Sequence, residues 1–167
     1  MARSAINLPS HKYYEHAMGH KFCVAAPGDF VSTPKITEYV AMGAVGGCLP
    51  LLVLKGAPEK TLPYTRWLDW CSIAYIISDV TARTRMASVL AQLEKVSAAE
   101  AAAKRKALLA VRDAFVWRPP ALHPMAQPSA VDYLLGELCD AARSWRVNGS
   151  LSTSPPAGGS YSRCMLA

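Results

Sequence analysis

The residues best equipped for chemistry stand together early in the chain. Phe22 to Ala26 is an apolar run with aromatic and β-branched members; the turn formers Pro27, Gly28 and Asp29 follow, and Ser32, Thr33 and Pro34 introduce a segment with apolar Ile36, Val40 and Met42. That order predicts strand, turn and helix, the connection used in nucleotide-binding βα units. Ser32 or Thr33 suits the cap of the helix and Pro34 its first position. The free amides of such a helix start carry partial positive charge and attract phosphate. Many α/β domains make this connection for structural reasons alone, and residue type by itself favours reading Lys35 and Glu38 as solvated surface charges.

Other reactive side chains form weaker groupings. His16 and His20 are four apart with Glu15 beside them, a spacing that can set two imidazoles on one helix face. The His-Glu-x-x-His order is absent, Gly19 weakens a helix there and no third ligand is evident, so no metal site is expected. No Gly-x-Ser-x-Gly elbow or similar nucleophile motif occurs, and no catalytic residue is assigned.

A chain of 167 residues with 51% apolar and 18% charged composition can bury a core, which excludes global disorder. The apolar stretch from Tyr39 to Leu54 holds three glycines and a proline and reads as helix, turn and buried strand, too short to span a membrane. The first residues lack the apolar centre of a secretory signal. A net charge of +6 invites a nucleic-acid reading, yet the basic residues cluster only at Lys104, Arg105 and Lys106, without a zinc-finger, RNA-recognition or KH motif. That cluster reads as a solvated helix face and nucleic acid is not an expected partner.

The elements that must position the early segment follow from periodicity. Leu49 to Leu54 suits a buried parallel strand, the loop after it is punctuated by Gly56, Pro58 and Pro63, and Ile73 to Ile77 is the next strand. Of Tyr64, Trp67 and Trp70, at least two are expected in the core. Met86, Val89, Leu90 and Leu93 trace a helix stripe. Ser97 and Glu100 predict a capping box for an alanine-rich helix to about Phe115, with Leu108, Val111 and Phe115 inward and Trp117 to Pro120 as its stop. After a proline-containing linker, Val131, Leu134, Leu135, Leu138, Ala142 and Trp145 trace a further face expected to dock on the domain, capped by Ser129 and Asp132. The organisation expected is a lead-in helix or loop at 1–20, one domain at 21–146 and a flexible tail at 147–167 that carries an Asn148 sequon.

Several short words, taken in order, resemble the exostosin-type glycosyltransferase family. They are Phe22-Cys23, Gly28, Thr33 with Lys35, Glu38, Gly47-Cys48-Leu49-Pro50, Leu62-Pro63 and Leu68-Asp69-Trp70, across roughly residues 12 to 117. Lys35 stands where the family favours arginine, keeping charge but losing the planar fork, and about one extra helical turn separates Glu38 from Gly47. The resemblance implies a Rossmann-like three-layer α/β domain with a parallel sheet, corresponding to the C-terminal lobe of a GT-B type glycosyltransferase. It also implies transfer of a sugar, with inversion, from a uridine diphosphate sugar to a glycan or glycoprotein acceptor in the Golgi lumen, with no further cofactor. Gly28, Asp29, Ser32, Thr33, Lys35, Glu38 and Pro63 become the donor-binding residues, Glu38 on the ribose and Lys35 on the diphosphate. Membrane attachment would come through an N-terminal anchor outside this chain, and a homo- or hetero-oligomer is compatible with the family.

The family also has cysteines at the positions of Cys23 and Cys48. In an oxidising compartment they form a disulfide between neighbouring strands; otherwise they are two small buried thiols. A catalytically inactive scaffold or partner subunit with the same fold is the alternative function, because fold alone does not carry activity.

Overall fold

The computed structural model describes residues 10–28, 33–116, 128–149 and 157–167. Helix α1 (Ser10–Met18) leads into strand β1 (Phe22–Ala25), and α2 (Lys35–Ala44) carries the chain to β2 (Leu49–Leu54). Two short helices, α3 (Pro58–Thr61) and α4 (Trp70–Ile73), precede β3 (Tyr75–Ser78). Then come α5 (Asp79–Thr84), α6 (Met86–Glu94), α7 (Ala98–Val111) with a 3₁₀ turn at Arg112–Phe115, and α8 (Ala130–Asn148). The proline stop after Trp117 and Ser150 of the sequon lie outside the described residues.

The strands form a parallel sheet in the order β1-β2-β3, so the fold is mixed α/β. Every residue of central β2 is buried, as expected of a parallel strand covered on both faces, whereas β1 leaves Val24 half exposed. Leu51, Leu52, Ile76 and Ile77 form the centre of the core, with Val40 of α2 and Leu108 of α7 closing over it. Helices α2 and α7 approach closely because of Gly43: a Cβ there would stand 2.6 Å from Leu108 Cδ1 and 2.9 Å from the Cys48 carbonyl oxygen.

The third strand starts later than the apolar run Ile73 to Ile77 predicts. The Asp69 carboxylate accepts the Cys71 amide at 3.1 Å, which opens a helical turn that takes in Ile73 before the backbone extends at Ala74. The stripe of α6 is narrower than its spacing, with Val89 and Leu93 buried and Leu90 exposed. On α7, Ser97 Oγ accepts the Glu100 amide, but the Glu100 carboxylate bonds the Tyr75 hydroxyl instead of reaching back to complete the box. Leu108 and Phe115 are buried and Val111 is half-buried.

Two expectations are corrected. The face of α8 expected to dock is its outer face: Val131, Leu134, Leu135, Leu138 and Trp145 are exposed, and Ala130, Tyr133 and Ser144 turn inward. Contacts from the loop before α4 set this rotation. The Tyr133 ring lies 5.5 Å from that of Tyr64, Arg66 pairs with Asp140 at 3.5 Å, and a Cβ at Gly136 would stand 3.5 Å from the Trp67 ring. Tyr64 adopts φ 56°, a left-handed conformation costly for a bulky residue and held by its rings' contacts with Tyr133 and Phe115. Trp70 is fully buried, while Trp67 is half exposed.

The second correction concerns the segment expected as a flexible tail, since α8 runs to Asn148 and residues 157–167 pack back on the sheet. Cys164 is bonded to Cys71, with Cα atoms 5.1 Å apart, and Met165 forms a parallel bridge with Ile76 on the free edge of β3. The Ile76 amide donates to Cys164 O at 3.0 Å and the Leu166 amide to Ile76 O at 2.9 Å. Arg163 Nη2 meets Asp69 Oδ1 at 2.8 Å, and Tyr161 is buried. Backbone pairing and a long-range covalent bond hold this segment, so its composition carries no apolar period to read.

Candidate functional site

Parallel strands bring their C-terminal ends to one edge of the sheet. The turn at Gly28 follows β1 at that edge, the first turn of α2 begins beside it, and Pro63 belongs to the loop after β2. Thr33 acts as the helix cap, since its Oγ1 accepts the Lys35 amide at 3.3 Å and its carbonyl accepts the Ile36 amide at 3.2 Å, while Pro34 already has helical dihedrals. Of the other residues expected here, Asp29 and Ser32 lie outside the described residues. Gly28 is exposed, and the Pro63 carbonyl accepts Trp70 Nε1 at 2.8 Å, fastening its loop to the core. Gly28 and Pro63 share the edge by topology.

Thr33, Lys35 and Glu38 are brought together. Lys35 Nζ lies 2.8 Å from Glu38 Oε2, one helical turn apart, so the two groups expected to divide a ligand between them bind each other. Tyr13 of α1 joins them: its hydroxyl donates to Glu38 Oε2 at 3.1 Å and its ring centroid lies 4.3 Å from Lys35 Nζ. Sequence reading missed Tyr13, because no local spacing relates α1 to α2. Beside Glu38 a cavity of about 450 Å³ is lined by Tyr14, Met42, Val45, Phe115 and Val116, an apolar recess with one carboxylate on its wall.

The Glu38 hydrogen bond raises the Lys35 pKa above its ordinary 10.5, and burial is the main cause of a raised Tyr13 phenol. Burial, then the bond to Glu100, likewise pushes Tyr75 well above 10.0, and burial pushes Tyr161 up to about 12. Each of these groups keeps its proton in the folded chain at a pH where the unfolded chain has lost it. Their contribution is therefore complete below the unfolded values and is lost as pH rises beyond them. Lys104 has the opposite shift, lowered by burial, and contributes stability that grows with pH up to the unfolded value of 10.5. Above about pH 10.5 only the falling contributions remain, so thermal melts are expected to drop steeply there, with tyrosinate absorbance rising together with unfolding. Tyrosinate forming fully near pH 10 in a still-folded chain would refute this.

Two of the three clustered basic residues are structural, contrary to the reading of a solvated face. Lys104 is buried and donates to Cys71 O at 2.6 Å and Ala74 O at 3.1 Å, satisfying carbonyls at the end of α4, and Arg105 Nε donates to Gly47 O at 3.2 Å. The His16 and His20 rings stack at 6.1 Å, and among the described residues no three His, Cys, Asp or Glu side chains form a metal-holding group.

Cys23 and Cys48 are joined by a disulfide with Cα atoms 5.5 Å apart. Cys48 immediately precedes β2 and Cys23 is the second residue of β1, so the bond ties the strands at the end of the sheet opposite the loops of the candidate site. Among the described residues no helix is long and apolar enough to cross a membrane. Comparison of the chain with protein-family models, with curated proteins and with solved structures finds no match.

Proposed function

We propose that this chain is the donor-binding part of an exostosin-like glycosyltransferase. The observation that carries the reading is the β1–α2–β2 unit with Thr33, Lys35 and Glu38 in and before the first turn of α2, at the sheet edge where α/β folds bind nucleotides. The parallel sheet is compatible with a Rossmann-like lobe of GT-B type. On binding, the diphosphate of a uridine diphosphate sugar replaces Glu38 as the partner of Lys35, and the ribose hydroxyls take the carboxylate that Lys35 releases. An acceptor hydroxyl on a glycan or glycoprotein then gives its proton to a general base and attacks the anomeric carbon with inversion, as the bond from that carbon to the diphosphate oxygen breaks. Lys35, at the positive end of the α2 dipole, stabilises the charge that grows on the departing diphosphate. Two disulfides support an oxidising compartment such as the Golgi lumen.

A second reading, a non-catalytic relative serving as a partner subunit, is favoured by one observation: Tyr13, Lys35 and Glu38 already satisfy one another. Calorimetry separates the two. Uridine diphosphate is expected to bind more tightly than uridine, Lys35→Ala to narrow that difference and Glu38→Ala to weaken both ligands, each losing about 1.5 to 3 kcal/mol for a charge-assisted hydrogen bond. Folded chain that binds neither ligand, also when joined to an N-terminal lobe, would leave the scaffold reading standing.

A further inference from the structure

The rotation of α8 leaves Val131, Leu135, Leu138, Ala142 and Trp145 on its outer side, at intervals of four, three, four and three residues. That is the seam spacing of a packed helix pair, yet Leu135 is 52%, Leu138 56% and Trp145 62% exposed. A second row borders the seam at seven-residue intervals: Asp132, Cys139 and Arg146. Cys139 is the middle residue of this 19-residue helix, and Asp132 and Arg146 lie at equal distances on either side of it.

A row of acid, centre and base is complementary to itself when reversed. An antiparallel copy related by a two-fold axis through the middle of the helix sets Cys139 beside the second copy's Cys139, and Asp132 beside the second copy's Arg146, twice over. The same operation brings Trp145 to within two residues, about 3 Å along the axis, of the second copy's Leu135, and Leu138 equally near its Ala142, each larger side chain against a smaller one. A parallel pair creates neither charge contact. Asp132 keeps its capping contacts with Ser129, and only its charge is asked for. We propose that the outer face of α8 is the interface of a two-fold symmetric homodimer, two copies of this helix packing antiparallel along about 28 Å. The proposal is independent of nucleotide binding.

Cys139 supplies the probe, since the other four of the five cysteines are in disulfides. Sedimentation of the full chain from about 1 µM to about 500 µM is expected to show reversible dimerisation, and a short bismaleimide to couple two chains through Cys139. Leu138→Arg, at an exposed position, should keep the circular dichroism spectrum and weaken dimerisation at least tenfold, about the effect of losing one buried anchor. In a Cys139→Ser background, Arg146→Cys should not cross-link at a concentration where sedimentation finds that variant dimeric, because the antiparallel axis separates the two sites by about 21 Å along the helix. Cross-linking there means parallel packing and overturns the proposal. So does a dimer indifferent to Leu138→Arg, or a chain that stays monomeric over the whole range, whether or not its stripe then binds lipid vesicles.

Discussion

Replacing Cys71 and Cys164 together by serine is expected to lower the unfolding free energy by about 4 to 5 kcal/mol, the largest loss from any disulfide change in this chain. The bond closes a sequence separation of 93 residues, against 25 for Cys23–Cys48, and the chain-entropy relation gives about 4.7 and about 3.5 kcal/mol for the two. Replacing both partners avoids leaving a lone thiol. Local consequences should accompany the global one. The Ile76 and Leu166 amides bond across the bridge that this disulfide anchors, so their hydrogen exchange should accelerate far more than that of the Leu49 amide, which bonds Lys21 O at 2.8 Å at the other side of the sheet. Urea unfolding and exchange measured by mass spectrometry supply the check. Equal losses for the two disulfides, or unchanged exchange at Leu166, would contradict the entropic account and the role of residues 164–166 as an edge cover.

Trp70→Ala is expected to cost about 3 to 5 kcal/mol. Trp70 is the largest fully buried side chain among the described residues, its ring meets Phe115 edge-on at 5.6 Å, and its Nε1 is the donor that holds the Pro63 carbonyl. Trp70→Phe keeps most of the apolar burial and removes the donor with part of the ring, so it should cost about 1 kcal/mol for the hydrogen bond plus the smaller ring's cavity. The pair of variants distinguishes packing from tethering. If Pro63 borders a nucleotide, Trp70→Phe should weaken uridine diphosphate binding while the fold persists, measured by calorimetry beside thermal unfolding. Unchanged binding in a folded Trp70→Phe variant would detach the Pro63 loop from the site.

What the sequence discloses is local. The continuous apolar run Leu49 to Leu54 is a buried parallel strand because every residue of it has a covered face, and Ser97, Ser129 and Asp132 mark helix starts because a cap is made within three residues. Lys35 and Glu38 stand three residues apart in a segment that reads as helix, and that spacing makes them partners of each other. The rotation of α8 escaped because its apolar stripe is real while the choice of inner face belongs to Tyr64, Arg66 and Trp67, some seventy residues earlier, a span read directly from the numbering. Lys104 escaped for a related reason: a charged triplet says surface, yet its long stem reaches carbonyls at the end of α4. Tyr13 entered the site, and residues 157–167 joined the sheet, through contacts that no period records.

The distance between Cys71 and Cys164 also sets an order of events during synthesis. At about 5 to 20 residues per second, Cys71 waits roughly 5 to 20 seconds for its partner to be made, and β3 has an uncovered edge for as long. Cys139 is made before Cys164, so wherever synthesis takes place under oxidising conditions it competes for Cys71, and a bond between those two is corrected only by thiol exchange. The yield of correctly joined chain is therefore governed by how fast that exchange runs, as well as by the stability of the finished fold.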